Sequence, residues 1–145
     1  MEEFISNSVH DTYNIAEKLS KDFNSGDIIF LDGDLGAGKT AFVKGVVKAF
    51  GGNENEAVSP TFTIVNEYKV NGKIIYHFDL YRIENSEELY NIGIEEYLYS
   101  GAICFIEWPE RAKDLFDFKH KSVIIEKLSD IARKITYKGE TKWKH

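Results

Sequence analysis

A chain of 145 residues with 43% apolar and 14% aromatic side chains is sized for one domain with a real core, which excludes global disorder. Its net charge of −6 excludes the basic footprint of a protein that holds nucleic acid by itself. No apolar run approaches the ~20 residues that cross a bilayer, the acidic start MEEFISNSVHD lacks a signal-peptide core, and the lone Cys104 forbids an intrachain disulfide, so a cytoplasmic setting is expected.

In chain order, residues 9–24 place Ile15, Leu19 and Phe23 four apart, which predicts an amphipathic helix with Ser8 as N-cap and Gly26 as its end. The apolar run 28–31 predicts a buried strand, and 33–40 a glycine-rich turn. A helix follows over 41–50, with Val43, Val46, Val47 and Phe50 on one side and Gly51 and Gly52 stopping it. Residues 61–70 and 73–83 are rich in aromatic and β-branched side chains around Asn71 and Gly72, the strongest short hairpin signal. A helix is predicted over 86–99 with Ser86 as cap, a buried strand over 102–107 and a short helix over 109–116. Two strands over 121–128 and 133–138 close the chain, and the basic tail 138–145 reads first as solvated. Cys104, inside the run AICFIE, reads as a buried small hydrophobe. Early alternation of strand and helix with inserted hairpins predicts one α/β domain over 1–145. Its form is a P-loop NTPase-like three-layer sandwich around a mixed, largely parallel sheet.

The turn reads Gly33-Asp34-Leu35-Gly36-Ala37-Gly38-Lys39-Thr40, which fits G-x-x-x-x-G-K-[ST] between a strand and a helix. Glycines let such a loop aim successive N–H groups inward, and the helix that follows presents its positive end to the same anion. Lys39 supplies a mobile charge for β- and γ-phosphates, Thr40 suits magnesium through its hydroxyl, and Ala41 completes the predicted nucleotide-binding set. The guanine-reading NKxD and the DxxG switch are absent from the sequence, so ATP is the expected nucleotide. The loop alone does not separate an ATPase from a kinase.

Two apolar runs end in an acid, one at Asp79 and one at Glu107, which puts both at strand carboxyl ends where open α/β sheets bind ligands. Either could orient magnesium or its water; either could also only cap a strand or pair with Arg82. Trp108-Pro109 is a stiff turn that could position Glu107. His77 shares a face with Asp79 by strand alternation and reads as a packed, hydrogen-bonded histidine.

Four segments in order, GDLGAGKT (33–40), SPTFTIVNEY (59–68), HFDLYRI (77–83) and IEWPE (106–110), make the chain resemble the TsaE family, formerly YjeE, from about residue 8 to 139. The resemblance implies a magnesium-dependent ATPase, slow by itself, that associates with TsaD and TsaB. That complex places threonylcarbamoyl on the adenosine beside the anticodon of tRNAs reading ANN codons, and the ATP cycle resets it between turnovers. By position, Lys39 meets phosphates, Thr40 and Glu107 meet magnesium, Asp79 supports the metal site, and Ser8 and Arg133 lie near the nucleoside. Thr61 and Thr63 fall in a switch-like segment, where ordinary strand threonine is the competing reading. Two other functions stay open. A small-molecule kinase of the P-loop class would want a clustered arginine lid, whereas Arg82, Arg111 and Arg133 are scattered; a non-catalytic nucleotide sensor would need no acid at Glu107.

Overall fold

Burial on both faces requires a strand to be apolar at every position rather than at alternate ones. Two runs meet that condition and sit side by side at the centre of the sheet: β2 (Ile28–Asp32), buried over its first four residues, and β5 (Ile103–Glu107), buried over all five. The structure, a computed structural model, describes residues 1–34, 36–53, 64–111 and 119–142. Among these, β1 (Glu2–Ser6), β3 (Val65–Val70), β4 (Lys73–Asp79), β6 (Lys119–Lys127) and β7 (Arg133–Lys142) complete a seven-stranded sheet. Its order is β1-β7-β6-β2-β5-β4-β3. The four central strands β6, β2, β5 and β4 run parallel, and antiparallel pairs flank them on both sides. This is the predicted mixed sheet, with its parallel part in the middle.

Helices cover both faces. α1 (Val9–Ser20) and α2 (Lys39–Ala49) lie on the side where Ile29, Leu31, Ile75, Ile103, Phe105, Val123 and Ile125 point. α3 (Glu87–Asn91) and α4 (Ile94–Leu98) lie on the other, over Ile28, Phe30, Phe78, Cys104 and Ile106. Odd and even strand residues therefore build two separate cores. α1 and α2 cross closely because Gly45 has no side chain; a Cβ there would stand 2.7 Å from Ala16 Cβ and 2.9 Å from Tyr13 Cα.

Local chemistry sets the ends of the elements. Ser8 caps α1 as predicted, its hydroxyl accepting from Asp11 N at 3.0 Å. The helix stops at Ser20, short of the predicted residue 24, and Phe23 packs into the core from the turn that follows. α2 ends in a Schellman motif, in which Gly51 (φ 98°) donates to Lys48 O and Gly52 to Val47 O. Asn71 (φ 48°) and Gly72 (φ 78°) join β3 to β4, as an Asn-Gly hairpin requires.

The expectation for residues 86–99 changes. The helix predicted over 86–99 is two short ones, because Gly93 adopts φ 73° between α3 and α4 and breaks the helical path. Its start is held by Asn85 Oδ1, which accepts from Glu87 N, rather than by a hydroxyl cap from Ser86. The N-terminal strand β1 carried no clear periodicity, and its pairing with β7 creates it. Of the helix predicted over 109–116, residues 109–111 form a single tight turn and 112–116 lie outside the described residues.

Candidate active site

The loop after β2 is held from two sides. Beneath it, Gly33 approaches β6 so closely that a Cβ would lie 2.7 Å from Ile125 O. At its edge, Arg133, the first residue of β7, donates from Nε to Ala37 O at 2.8 Å and from Nη2 to Gly36 O at 3.4 Å. The same guanidinium donates to Ser129 O at 2.8 Å in the β6–β7 turn, so the loop and that turn are joined. Gly38 sits at the head of α2 with φ 114°, a conformation that favours glycine. α2 has no side-chain N-cap and no acid in its first turn. Its positive dipole end, and the first-turn amides that a helix leaves without intrahelical partners, suit an anion. Among the described residues, a Cβ on Gly36 or Gly38 would meet nothing within 4 Å, which leaves space beside the loop.

Lys39 opens α2 and is 94% buried, with Nζ 3.1 Å from Glu107 Oε1. The pair arises because β5 neighbours β2 in parallel, with Glu107 level with Leu31. On the other side of β5, β4 brings Asp79 level with Glu107 and places His77 two residues below. His77 Nε2 lies 2.5 Å from Glu107 Oε2. Glu107 therefore has a cationic partner on one oxygen and an imidazole on the other. Burial alone would raise its pKa, but the hydrogen bond from His77 and the charge of Lys39 outweigh this and hold the carboxyl below its ordinary value. Asp79 shifts the other way: desolvation raises it, the nearby Glu107 charge adds to this, and the Tyr81 N–H, 3.0 Å from Oδ1, opposes it.

Trp108 follows Glu107 with φ 59°, uncommon for a bulky residue. Its ring lies under Lys39 Nζ at 5.2 Å and against Tyr81 at 5.0 Å, and Arg111 covers Tyr81 at 5.4 Å. The turn that the Trp-Pro pair predicted thus places the indole on the lysine.

Of the predicted residues, the structure brings Lys39, Asp79 and Glu107 together at the carboxyl ends of the parallel strands, with Thr40 and Ala41 in the adjoining first turn of α2. Gly33, Asp34, Gly36, Ala37 and Gly38 form the loop itself; Leu35, Thr61 and Thr63 lie outside the described residues. Arg133 grips the loop's carbonyls, a role that sequence spacing did not suggest. Ser8 is committed to capping α1, and Ser6, two residues earlier, pairs with Arg133 across β1 and β7. Sequence reading missed the contact between His77 and Glu107, since nothing local reveals that their strands are neighbours.

The profile of the family described as Threonylcarbamoyl adenosine biosynthesis protein TsaE matches residues 6–135. This chain belongs to the TsaE family. Three relatives, each described as tRNA threonylcarbamoyladenosine biosynthesis protein TsaE, illustrate the range. One from Rickettsia conorii is 40% identical over 127 residues, covering 88% of this chain and 72% of the relative. One from Bacillus subtilis is 35% identical over 127 residues, covering 88% and 78%. One from Treponema pallidum is 35% identical over 133 residues, covering 91% and 96%. A crystal structure of YdiB from Bacillus subtilis superposes with a TM-score of 0.75 at 29% identity, covering 94% of this chain and 83% of that one. The family and its fold are those expected from the four motifs. No helix among the described residues is long and apolar enough to cross a membrane.

Proposed function

We propose that the chain binds ATP with magnesium at the loop of residues 33–40 and hydrolyses it slowly, as an accessory subunit that resets TsaD and TsaB between rounds of tRNA threonylcarbamoyladenosine formation. The observation that carries this reading is the buried Lys39–Glu107 pair, which joins the head of α2 to the end of β5. Several features fit a nucleoside triphosphate there: the uncapped N-terminus of α2, the space beside Gly36 and Gly38, and the Lys39 ammonium at the head of that helix. The donors beside it, the Glu107 and Asp79 carboxylates and the Thr40 hydroxyl, are oxygen ligands of the kind magnesium takes together with phosphates. Magnesium, when bound, would neutralise charge developing on the phosphates. Lys39 would leave Glu107 for the phosphates, and the loop amides would hold the anion in place. Glu107, kept ionised by its neighbours, can then accept a hydrogen bond from the attacking water.

ATP hydrolysis measured with and without the cognate TsaD–TsaB pair tests the proposal. The expected result is slow turnover alone that the pair changes, and near-abolition of ATP binding in Lys39→Ala. Each charge-assisted phosphate bond lost should cost about 1.5–3 kcal/mol. Normal calorimetric affinity in a folded Lys39→Ala variant would defeat the assignment of the loop.

A further inference from the structure

His77 is fully buried, yet only one of its ring nitrogens has a hydrogen-bond partner among the described residues. Nε2 meets Glu107 Oε2 at 2.5 Å, and Nδ1 meets none. An unpaired polar atom in a dry core costs free energy that an apolar side chain would avoid. The neighbouring positions on the same face, Ile75 on β4 and Phe105 on β5, are apolar and equally buried. A ring that only filled space here would therefore serve worse than leucine. Its one satisfied atom touches the acid to which the proposed function assigns magnesium and water.

We propose that His77 is the positioning residue of Glu107. An ionised carboxylate only accepts hydrogen bonds, so the shared proton is assigned to Nε2, and Nδ1 carries the bare lone pair. The terminal torsion of a glutamate is soft. With Oε2 tied to the imidazole, the carboxylate plane is fixed, and Oε1, which faces Lys39, is the oxygen presented to the loop. Lys39 ends a four-carbon stem whose torsions can carry its ammonium from Glu107 toward an arriving phosphate. The imidazole is enclosed by sheet and helix and keeps its place. Glu107 would thus hold its orientation when its cationic partner leaves. This rests on the metal role proposed for Glu107, and it assigns His77 no contact with the nucleotide.

Glutamine and asparagine separate the two nitrogens, since a glutamine amide reaches roughly where Nε2 lies and an asparagine amide roughly where Nδ1 lies. The test is calorimetric ATP affinity of the full chain in magnesium and in EDTA, for wild type, His77→Gln, His77→Asn and Glu107→Gln. The strengthening by magnesium should fall about 10- to 100-fold in His77→Asn, as loss of an outer-shell partner does. It should stay near wild type in His77→Gln, with affinity in EDTA unchanged in both. Equal behaviour of the two His77 variants would overturn the proposal. Undiminished magnesium dependence in Glu107→Gln would overturn the metal role itself, and this inference with it. If His77→Asn fails to fold, nitrogen NMR of the wild-type imidazole decides: an Nε2–H tautomer is expected, and an Nδ1–H tautomer refutes the assignment.

Discussion

Lys39 and Glu107 are each other's counter-charge in a place largely shut off from solvent. Taking two charges out of water costs more than their attraction reliably returns, so a buried pair at the head of a glycine loop is poor evidence of a stability device and better evidence of a site. The consequence is that changes here should separate chemistry from folding. Glu107→Gln keeps the shape and can still accept from His77, and Lys39 retains the Trp108 ring beneath it. Hydrolysis should fall by about 10²-fold or more, equivalent to about 2.7 kcal/mol of transition-state stabilisation, while ATP binding in EDTA persists. Single-turnover hydrolysis checks this, and an unchanged rate would transfer the water-orienting role to Asp79. Asp79 is less suited to it, because desolvation raises its pKa and its Oδ1 is already occupied by the Tyr81 N–H.

Among the elements, the α1–α2 contact decides how firmly the loop is presented, since α2 begins at Lys39. Gly45 lets the two helices touch backbone to backbone. Two effects of Gly45→Ala oppose each other. Better helix propensity gains about 1 kcal/mol, and overpacking of a Cβ that would lie 2.7 Å from Ala16 Cβ and 2.9 Å from Tyr13 Cα costs about 1–3 kcal/mol. The close atoms are backbone and a methyl group with no freedom to swing aside, so the cost should win. The urea midpoint is expected to fall by an amount equivalent to about 1 kcal/mol, and a rise would show that α1 shifts freely. β6 and β7 act on the loop in a comparable way, because Ile125 O abuts Gly33 and Arg133 binds Ala37 and Gly36.

At the scale of the whole molecule, charge and burial carry separate predictions. A net charge of −6 does not neutralise phosphates or release counterions. The isolated chain should therefore not shift tRNA in a gel at about 0.15 M salt, near physiological ionic strength. Tight binding there would contradict the proposed role as an accessory subunit that acts on TsaD and TsaB while they, and not this chain, hold the tRNA. Cys104 reports on global stability. It is fully buried in the central strand β5, and burial pushes its thiol up to about 12 from an ordinary 9.0. Its contribution to stability is therefore complete below about pH 9, where neither state ionises it, and is lost as pH rises toward about 12. At pH 8 the native thiol should resist Ellman's reagent and react only as fast as the chain unfolds, so that labelling tracks the urea transition. Rapid stoichiometric labelling in native buffer would show that β5 opens locally.

The features legible in the sequence were those whose physics is local. A serine before an amphipathic run caps α1, Asn-Gly forces the β3–β4 turn, and two continuous apolar runs declare strands buried on both faces. The glycine loop before α2 and the acid at the end of β5 were legible for the same reason, since each residue type is set by what its own backbone position can offer. Strand neighbourhood was not legible, because pairing depends on partners distant in the chain. β1 exists through β7, His77 meets Glu107 only because β4 lies beside β5, and Arg133 reaches the loop only because β7 returns next to β6. Residues 86–99 read as one helix, and Gly93, at φ 73°, divides them into α3 and α4, whose Leu89, Ile94 and Leu98 share one core cluster.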